Sequence, residues 1–331
     1  MAAAAGAAAA VGGEVAGRPE GLPPVLALDI GGTKLAAGVV HADGEVASFL
    51  VEPSHAEQGP APTLERLFDL GRTAVAKSGV PWARIAGVGI GCGGPLDPER
   101  GVLVAPPHLP GWRDVPIGAL AQRAFERPVT LENDATAAAA GEHAWGAGAG
   151  TRNMVYLTIS TGVGGGVVID GRLYRGAMGN GGELGHVTVD WHGRQCRGCG
   201  RRGCLEAYVS GTSISERARE AGLAAGTATE VAAAAREGDA LAIAVWDETV
   251  EALACGVTSI VNLFEPQLVV LGGGVLRTGE QLLGPVREAV RGSAMGPAGR
   301  AAEIVASAFG DRVGVAGAAA IVYARDGAAR G

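Results

Sequence analysis

Short apolar runs that end in glycine recur along this chain. Val25–Ile30 is closed by Gly31-Gly32, and Leu35–Val40 by Asp43-Gly44. The pair predicts a strand, a tight glycine turn, a second strand and a second turn. Thr63–Ser78 places Leu64, Leu67, Phe68 and Val75 close to one helical face. Ile85–Ile90 predicts a buried strand leading into the loop Gly91–Asp97, and Pro110-Gly111-Trp112 marks another loop. Ile117–Phe125 predicts a helix. Val129–Leu131 predicts a strand that runs into Glu132-Asn133-Asp134, after which an alanine-rich helix opens at Ala135.

The second half repeats the opening. Val155–Ile159 and Val167–Ile169 predict strands joined by a glycine turn, Ser160–Gly166, with Asp170-Gly171 as the next turn. Asp29 and Ser160 take equivalent places before their turns, so the pattern predicts a duplicated α/β domain. A long helix is expected over Asp239–Phe264, then a strand Leu268–Leu271 capped by Gly272-Gly273-Gly274. A last strand Ile304–Ala306 precedes a closing helix within Arg312–Arg325. The expected division is a leader (1–22), a small α/β domain (23–133) joined by the helix at 312–325, and a larger α/β domain (134–311).

Composition changes how much weight single residues carry. A chain of 331 residues suits two domains of ordinary size. It holds 56 glycines, many alanines and only two lysines, Lys34 and Lys77, among 27 basic residues. That bias reads as a GC-rich genome, so only glycines clustered at strand ends are taken as informative. The net charge of −7 argues against a nucleic-acid binder that relies on bulk charge. No run reaches the ~18 apolar residues of a membrane span. The opening MAAAAGAAAAVGGEVAG lacks a basic segment and a leucine-rich one, and reads as a disordered leader rather than a signal peptide.

Three features carry chemistry. Glycine turns let backbone N–H groups converge on a phosphate, and the first, Asp29-Ile-Gly31-Gly32-Thr33-Lys34, adds a hydroxyl and an ammonium. It has neither Walker A spacing nor a following helix, so it is not a P-loop or a dinucleotide fingerprint. Repetition of the turn at Thr161, Gly162 and Gly164 and at Gly272, Gly273 and Gly274 points to a nucleotide cleft. Asp29 beside it suits a water-mediated Mg²⁺ contact. Asp134, at a strand–helix junction, is either an N-cap or a base for an attacking hydroxyl, with Asn133 beside it as a hydroxyl ligand. Finally, His186, Cys196, Cys199 and Cys204 make a Cys₃His set for a closed, structural zinc site in a reducing cytosol. Glu183 and Glu206 flank that set, where a metal would pin two acceptors for sugar hydroxyls. A nucleic-acid zinc module is the alternative raised by Arg194, Arg197, Arg201 and Arg202.

On these motifs the chain resembles the ROK family (repressors, uncharacterised frames and sugar kinases) from about Val25 to Val322. Asp29–Lys34 and Ser160–Gly166 are similar to its two phosphate loops, and Leu271–Gly274 to the segment beside the adenosine. Glu132-Asn-Asp-Ala135 resembles its catalytic motif, while Glu183-Leu-Gly-His186 and Cys204-Leu-Glu206 resemble its sugar and zinc signature. Cys196-Arg-Gly-Cys199 is one residue longer than the Cys-x-Cys usual in the family. The resemblance implies an α/β, two-domain actin/hexokinase-like (ribonuclease H-like) fold with a central cleft. It implies Asp134 as base, Asn133, Glu183, His186 and Glu206 on the sugar, and transfer of the ATP γ-phosphoryl to a hexose, most commonly the 6-hydroxyl of glucose. Mg²⁺ with ATP, a structural Zn²⁺ and a cytoplasmic homo-oligomer, dimer or tetramer, belong to the same expectation. A sugar-responsive regulator, a kinase for another hexose or N-acetylhexosamine, and an ATPase without sugar stand as alternatives.

Overall fold

Strict alternation along the first strand decides which elements lie on either side of it. The protein, represented by a computed structural model, is described over residues 21–177, 179 and 181–328. The expected leader therefore falls outside the described residues except for Gly21 and Leu22. Strands β1 (Val25–Ile30), β2 (Lys34–Val40) and β3 (Val46–Pro53) form a meander, followed by helix α1 (Pro60–Ser78) and strand β4 (Val88–Cys92). A short hairpin, β5 (Leu96–Asp97) and β6 (Val102–Leu103), leads to α2 (Ile117–Phe125), β7 (Val129–Asn133) and α3 (Asp134–Trp145). The sheet order is β3-β2-β1-β4-β7, with β4 and β7 parallel to β1.

The second half repeats this order. Strands β8 (Met154–Ile159), β9 (Val163–Ile169) and β10 (Arg172–Tyr174) form a meander, then helices α4 (Glu206–Val209), α5 (Gly211–Glu220), α6 (Ala228–Arg236) and α7 (Ala240–Phe264) precede β11 (Leu268–Gly272). Helices α8 (Glu280–Ser293) and α9 (Ala298–Ala301), strand β12 (Glu303–Ala306) and helix α10 (Val313–Ala328) complete the fold. The order β10-β9-β8-β11-β12, with β11 and β12 parallel to β8, matches the first sheet strand for strand. This is the duplicated α/β architecture expected from the repeated pattern. Among the described residues, no helix is long and apolar enough to cross a membrane.

Leu26, Leu28 and Ile30 point to the α1/α2 side of the first sheet, whereas Val25 and Ala27 point to α10 and α3. Asp29 shares the second face, so its carboxylate is carried towards the helices between the sheets. Helix α3 serves both sheets: Ala137 and Ala140 pack with β1 and α10, and Ala138 and Ala139 with β8 and β11. It is buried from Ala135 through Glu142, and only small side chains permit contact on so many sides. The crossing of α3 with α10 is equally close. A side chain at Gly317 would collide with the Ala137 backbone, and one at Gly141 would stand 2.8 Å from the Gly317 nitrogen.

Several expectations are corrected. The second glycine turn is Ser160–Gly162, not Ser160–Gly166, because Val163–Gly166 already pairs with β8. A Cβ on Gly164 or Gly166 would press on Ala135 or Ala139 of α3, so these glycines allow helix and sheet to touch. The last residues paired across the two hairpins are Ile30 and Ile159. Asp29 therefore corresponds to Thr158, not Ser160, and its carboxylate is not duplicated. Strand β4 is shifted towards Cys92, and β7 extends to Asn133, so both reach the edge where the glycine turns lie.

Candidate active site

In open α/β sheets, ligands gather at the carboxyl ends of parallel strands. Here Asp29 pairs with Gly91, Gly91 with Glu132, and Cys92 with Asn133, so the ends of β1, β4 and β7 are level. Asp134 opens α3 directly beyond. The N-cap is Asn133 rather than Asp134: its Oδ1 accepts from the nitrogens of Ala135 and Thr136 at 3.0 and 3.1 Å. With that oxygen engaged, Asn133 offers its amide N–H groups to a ligand. Asp134 Oδ1 also accepts from Ala135 at 2.8 Å. The cap that the sequence left open for Asp134 thus falls to Asn133.

Burial raises the Asp134 carboxyl above its ordinary value, opposed by its backbone hydrogen bond to Ala135 and by His108. Asp29 is pushed up to about 7 by burial and by repulsion from Asp134. The Cys92 thiol is driven up by burial and by both carboxylates, which leaves it protonated. His108 lies across this edge. Its carbonyl and Cβ close over Gly32 and its imidazole over Gly93, and burial lowers its pKa while Asp134 raises it. No local pattern singles out His108, whose electrostatic coupling to Asp134 joins distant segments of the chain.

The Asp29 shift fixes the sign of a stability effect. A carboxyl raised from its unfolded value near 3.9 contributes stability that is complete below about pH 4 and is lost as pH rises through about 7. Without ligand, Asp29→Asn is therefore expected to gain on the wild type by about 2 °C or more in melting temperature between pH 5 and pH 8. Thermal unfolding across that range is the check, and parallel curves for the two proteins would contradict the assignment.

The first glycine turn is held from behind by Ser54, at the end of the overlooked strand β3. Ser54 Oγ donates to the Gly32 carbonyl at 2.6 Å, and its nitrogen to the Thr33 carbonyl at 3.0 Å. In a planar trans peptide the N–H points opposite its C=O, so the N–H groups of Thr33 and Lys34 face away from Ser54. Gly31 closes the turn by donating to the Lys34 carbonyl. The second and third turns lie together: Thr158 pairs with Gly272, and the Gly211 nitrogen at the start of α5 donates to the Ser160 carbonyl. Gly273 has φ 90° and is packed on the Ile159 backbone. Thr161 and Gly274 are exposed beside them. The first turn of α3 stands between these groups, with Asp134 beside Gly91 and Asp29, and Ala135 beside Gly164.

Next to Asp134 a small pocket is lined by Gly94, Asn133, Thr136, Gly165, Gly182 and Glu183. His186 and Glu206 stand behind it. His186 Nε2 is 3.9 Å from Glu183 Oε2, and its Nδ1 is 3.6 Å from Cys196 Sγ. Glu206 accepts from the Val163 nitrogen at 3.0 Å, and its other oxygen is 3.3 Å from Cys196 Sγ. Donor atoms of His186, Cys196, Cys199 and Cys204 all lie within 4.8 Å of one another, with the sulfurs of Cys199 and Cys204 at 3.5 Å. Zinc bonds of about 2.3 Å to sulfur and 2.0 Å to nitrogen give tetrahedral edges of about 3.5–3.8 Å, which the His186–Cys196 and Cys199–Cys204 separations match, so the set could hold such an ion. The longer Cys196–Cys199 spacing does not remove Cys196 from it.

The arginines of this loop are engaged locally. Arg194 pairs with Glu220 at 2.8 Å and Arg197 with Glu216 at 2.6 Å. Arg201 donates to Thr188 Oγ1 and Arg202 to the Gly193 carbonyl.

Residues 25–325 match the model of the ROK family. Glucokinase from Thermotoga maritima is 37% identical over 317 residues, covering 92% of this chain and 98% of that protein. The crystal structure of the ROK hexokinase from Thermus thermophilus superposes with a TM-score of 0.77 at 38% identity, covering 92% and 99% of the two chains. A ROK family glucokinase from Streptomyces griseus, solved with glucose and AMPPNP, gives 0.75 at 33% identity, covering 90% and 98%.

Proposed function

Because this chain belongs to the ROK family, with the two-domain actin/hexokinase-like fold of its structural neighbours, we propose that it transfers the ATP γ-phosphoryl to the 6-hydroxyl of glucose. The observation that carries the reading is the first turn of α3. It sets Asp134 between the glycine turns and the pocket that Asn133 and Glu183 line.

In this mechanism the N–H groups of Thr33 and Lys34 and the Ser160–Gly162 turn receive the phosphates, and the Gly272–Gly274 segment borders the nucleoside. Asn133 donates to a sugar hydroxyl, Glu183 accepts from another, and His186 and Glu206 support the pocket from the metal side. Asp134 Oδ2 orients the attacking hydroxyl and takes its proton, and its raised pKa brings it closer to the operating pH. Phosphoryl transfer relies mainly on alignment and charge stabilisation, so the residues act by placing groups rather than by forming bonds. Asp29 would lie beside the Mg²⁺ that accompanies ATP, and that ion, when bound, would supply neutralisation of the charge on the phosphates. His186, Cys196, Cys199 and Cys204 would hold a structural zinc, and four protein ligands would leave it no position for substrate. Residues 23–133 with α10, and 134–311, act as the two lobes around the sugar.

A coupled assay over glucose, mannose, fructose, N-acetylglucosamine and N-acetylmannosamine, with ATP or polyphosphate as donor, tests the reading. The highest kcat/KM is expected for glucose with ATP. A higher value for another sugar or donor would reassign the substrate, and turnover with none would reject the kinase.

A further inference from the structure

One outer strand of each sheet, or the segment that follows it, reaches the sugar pocket. Strand β7 is one edge of the first sheet and β10 one edge of the second. Glu132 lies in β7, immediately before Asn133, and is almost wholly buried, its side chain 4% exposed. Arg175 follows β10 and donates from Nε to Glu132 Oε2 at 2.7 Å. The other carboxylate oxygen accepts from the Asn133 nitrogen at 3.0 Å. One carboxylate thus ties the backbone of Asn133 to a side chain from the opposite sheet.

The arginine end is also tied to the pocket. The carbonyl of Arg175 accepts from the Gly181 nitrogen at 2.8 Å, and the Gly182 carbonyl accepts from Leu184 at the start of the Glu183–His186 turn. Gly181, Gly182 and Glu183 line the pocket opposite Asn133. The connection therefore runs from Asn133 through Glu132 and Arg175 to the backbone that carries Glu183. A buried carboxylate that loses its ionic partner is strongly disfavoured, so this contact sets the distance between the two edges.

We propose that Arg175, through Glu132, is the positioning residue that holds the two sugar-contacting edges in register and so sets affinity for the hexose. The inference rests on the sugar-kinase reading of the pocket. It concerns the sugar side alone, because the Thr33–Lys34 and Ser160–Gly162 turns are held by Ser54 and Glu206, not by this pair.

The test is steady-state kinetics and glucose calorimetry on Arg175→Gln, Arg175→Lys, Glu132→Gln and the double variant Glu132→Gln/Arg175→Gln. Arg175→Gln is expected to raise the KM and Kd for glucose by about tenfold or more, while the KM for ATP stays within about twofold. Arg175→Lys restores most of the affinity, and the double variant is no worse than Arg175→Gln alone. An unchanged glucose affinity in Arg175→Gln overturns the inference, as does an equal loss for glucose and ATP with a lowered melting temperature and no rescue by lysine. A wild-type chain that neither binds nor phosphorylates glucose would overturn the functional reading along with it. Wild-type activity with an unmoved Arg175→Gln affinity overturns the inference alone.

Discussion

Asp134→Asn is expected to lower turnover by about 10²–10⁴-fold, while glucose affinity stays within about threefold. The substitution keeps the size of the side chain and an oxygen able to accept from Ala135, so the first turn of α3 has no reason to move. It removes the atom that receives the proton. Asn133, which caps the helix, is untouched, and so are the glycine turns. Turnover by coupled assay and glucose binding by calorimetry separate the two effects. Near-wild-type turnover would remove Asp134 from the chemistry, and a parallel loss of binding would make it a structural residue.

The second large effect concerns the cysteine cluster. Cys199→Ser is expected to leave the purified protein with little zinc and to weaken glucose binding by about tenfold. The links are short: His186 stands between Cys196 and Glu183, and Glu206 between Cys196 and the nitrogen of Val163, where the second glycine turn meets its strand. Loosening the cluster therefore disturbs one wall of the pocket and the second glycine turn together. Cys199 is exposed, so its replacement creates no cavity that would itself disrupt the core. Elemental analysis and calorimetry on the same sample are the measurements. Full zinc occupancy with normal affinity would dissociate the metal from the sugar site.

The sequence made the duplicated architecture legible because both hairpins announce themselves as apolar runs closed by glycine. What it hid has physical reasons. Strand β3 escaped because an edge strand is only partly buried and lacks a clean apolar face, and Ser54, which aims the first turn, was lost with it. Helix α8 carries Leu282, Leu283, Val286 and Val290 on a buried face, but Pro285 interrupts the pattern. Discounting lone alanines and glycines as genomic bias also concealed packing. The alanines of α3 fit it between two sheets, and Gly164 and Gly166 let it touch β9.

The candidate site was legible as residue types more than as geometry. Asn133 and Asp134 were marked together, yet only their hydrogen bonds assign the cap to one and leave the other for chemistry. The Cys₃His set was readable because its ligands crowd into a short segment. His108 against Gly93 and Arg175 against Glu132 join distant segments, and a local pattern carries no trace of such pairs.

The central claim is the transfer itself, and ³¹P NMR of the wild-type protein with ATP, Mg²⁺ and glucose tests it most directly. Glucose 6-phosphate and ADP are expected to grow in equal amounts, with no free phosphate beyond background. ADP accompanied by inorganic phosphate, or a glucose phosphate substituted at another hydroxyl, would contradict the account.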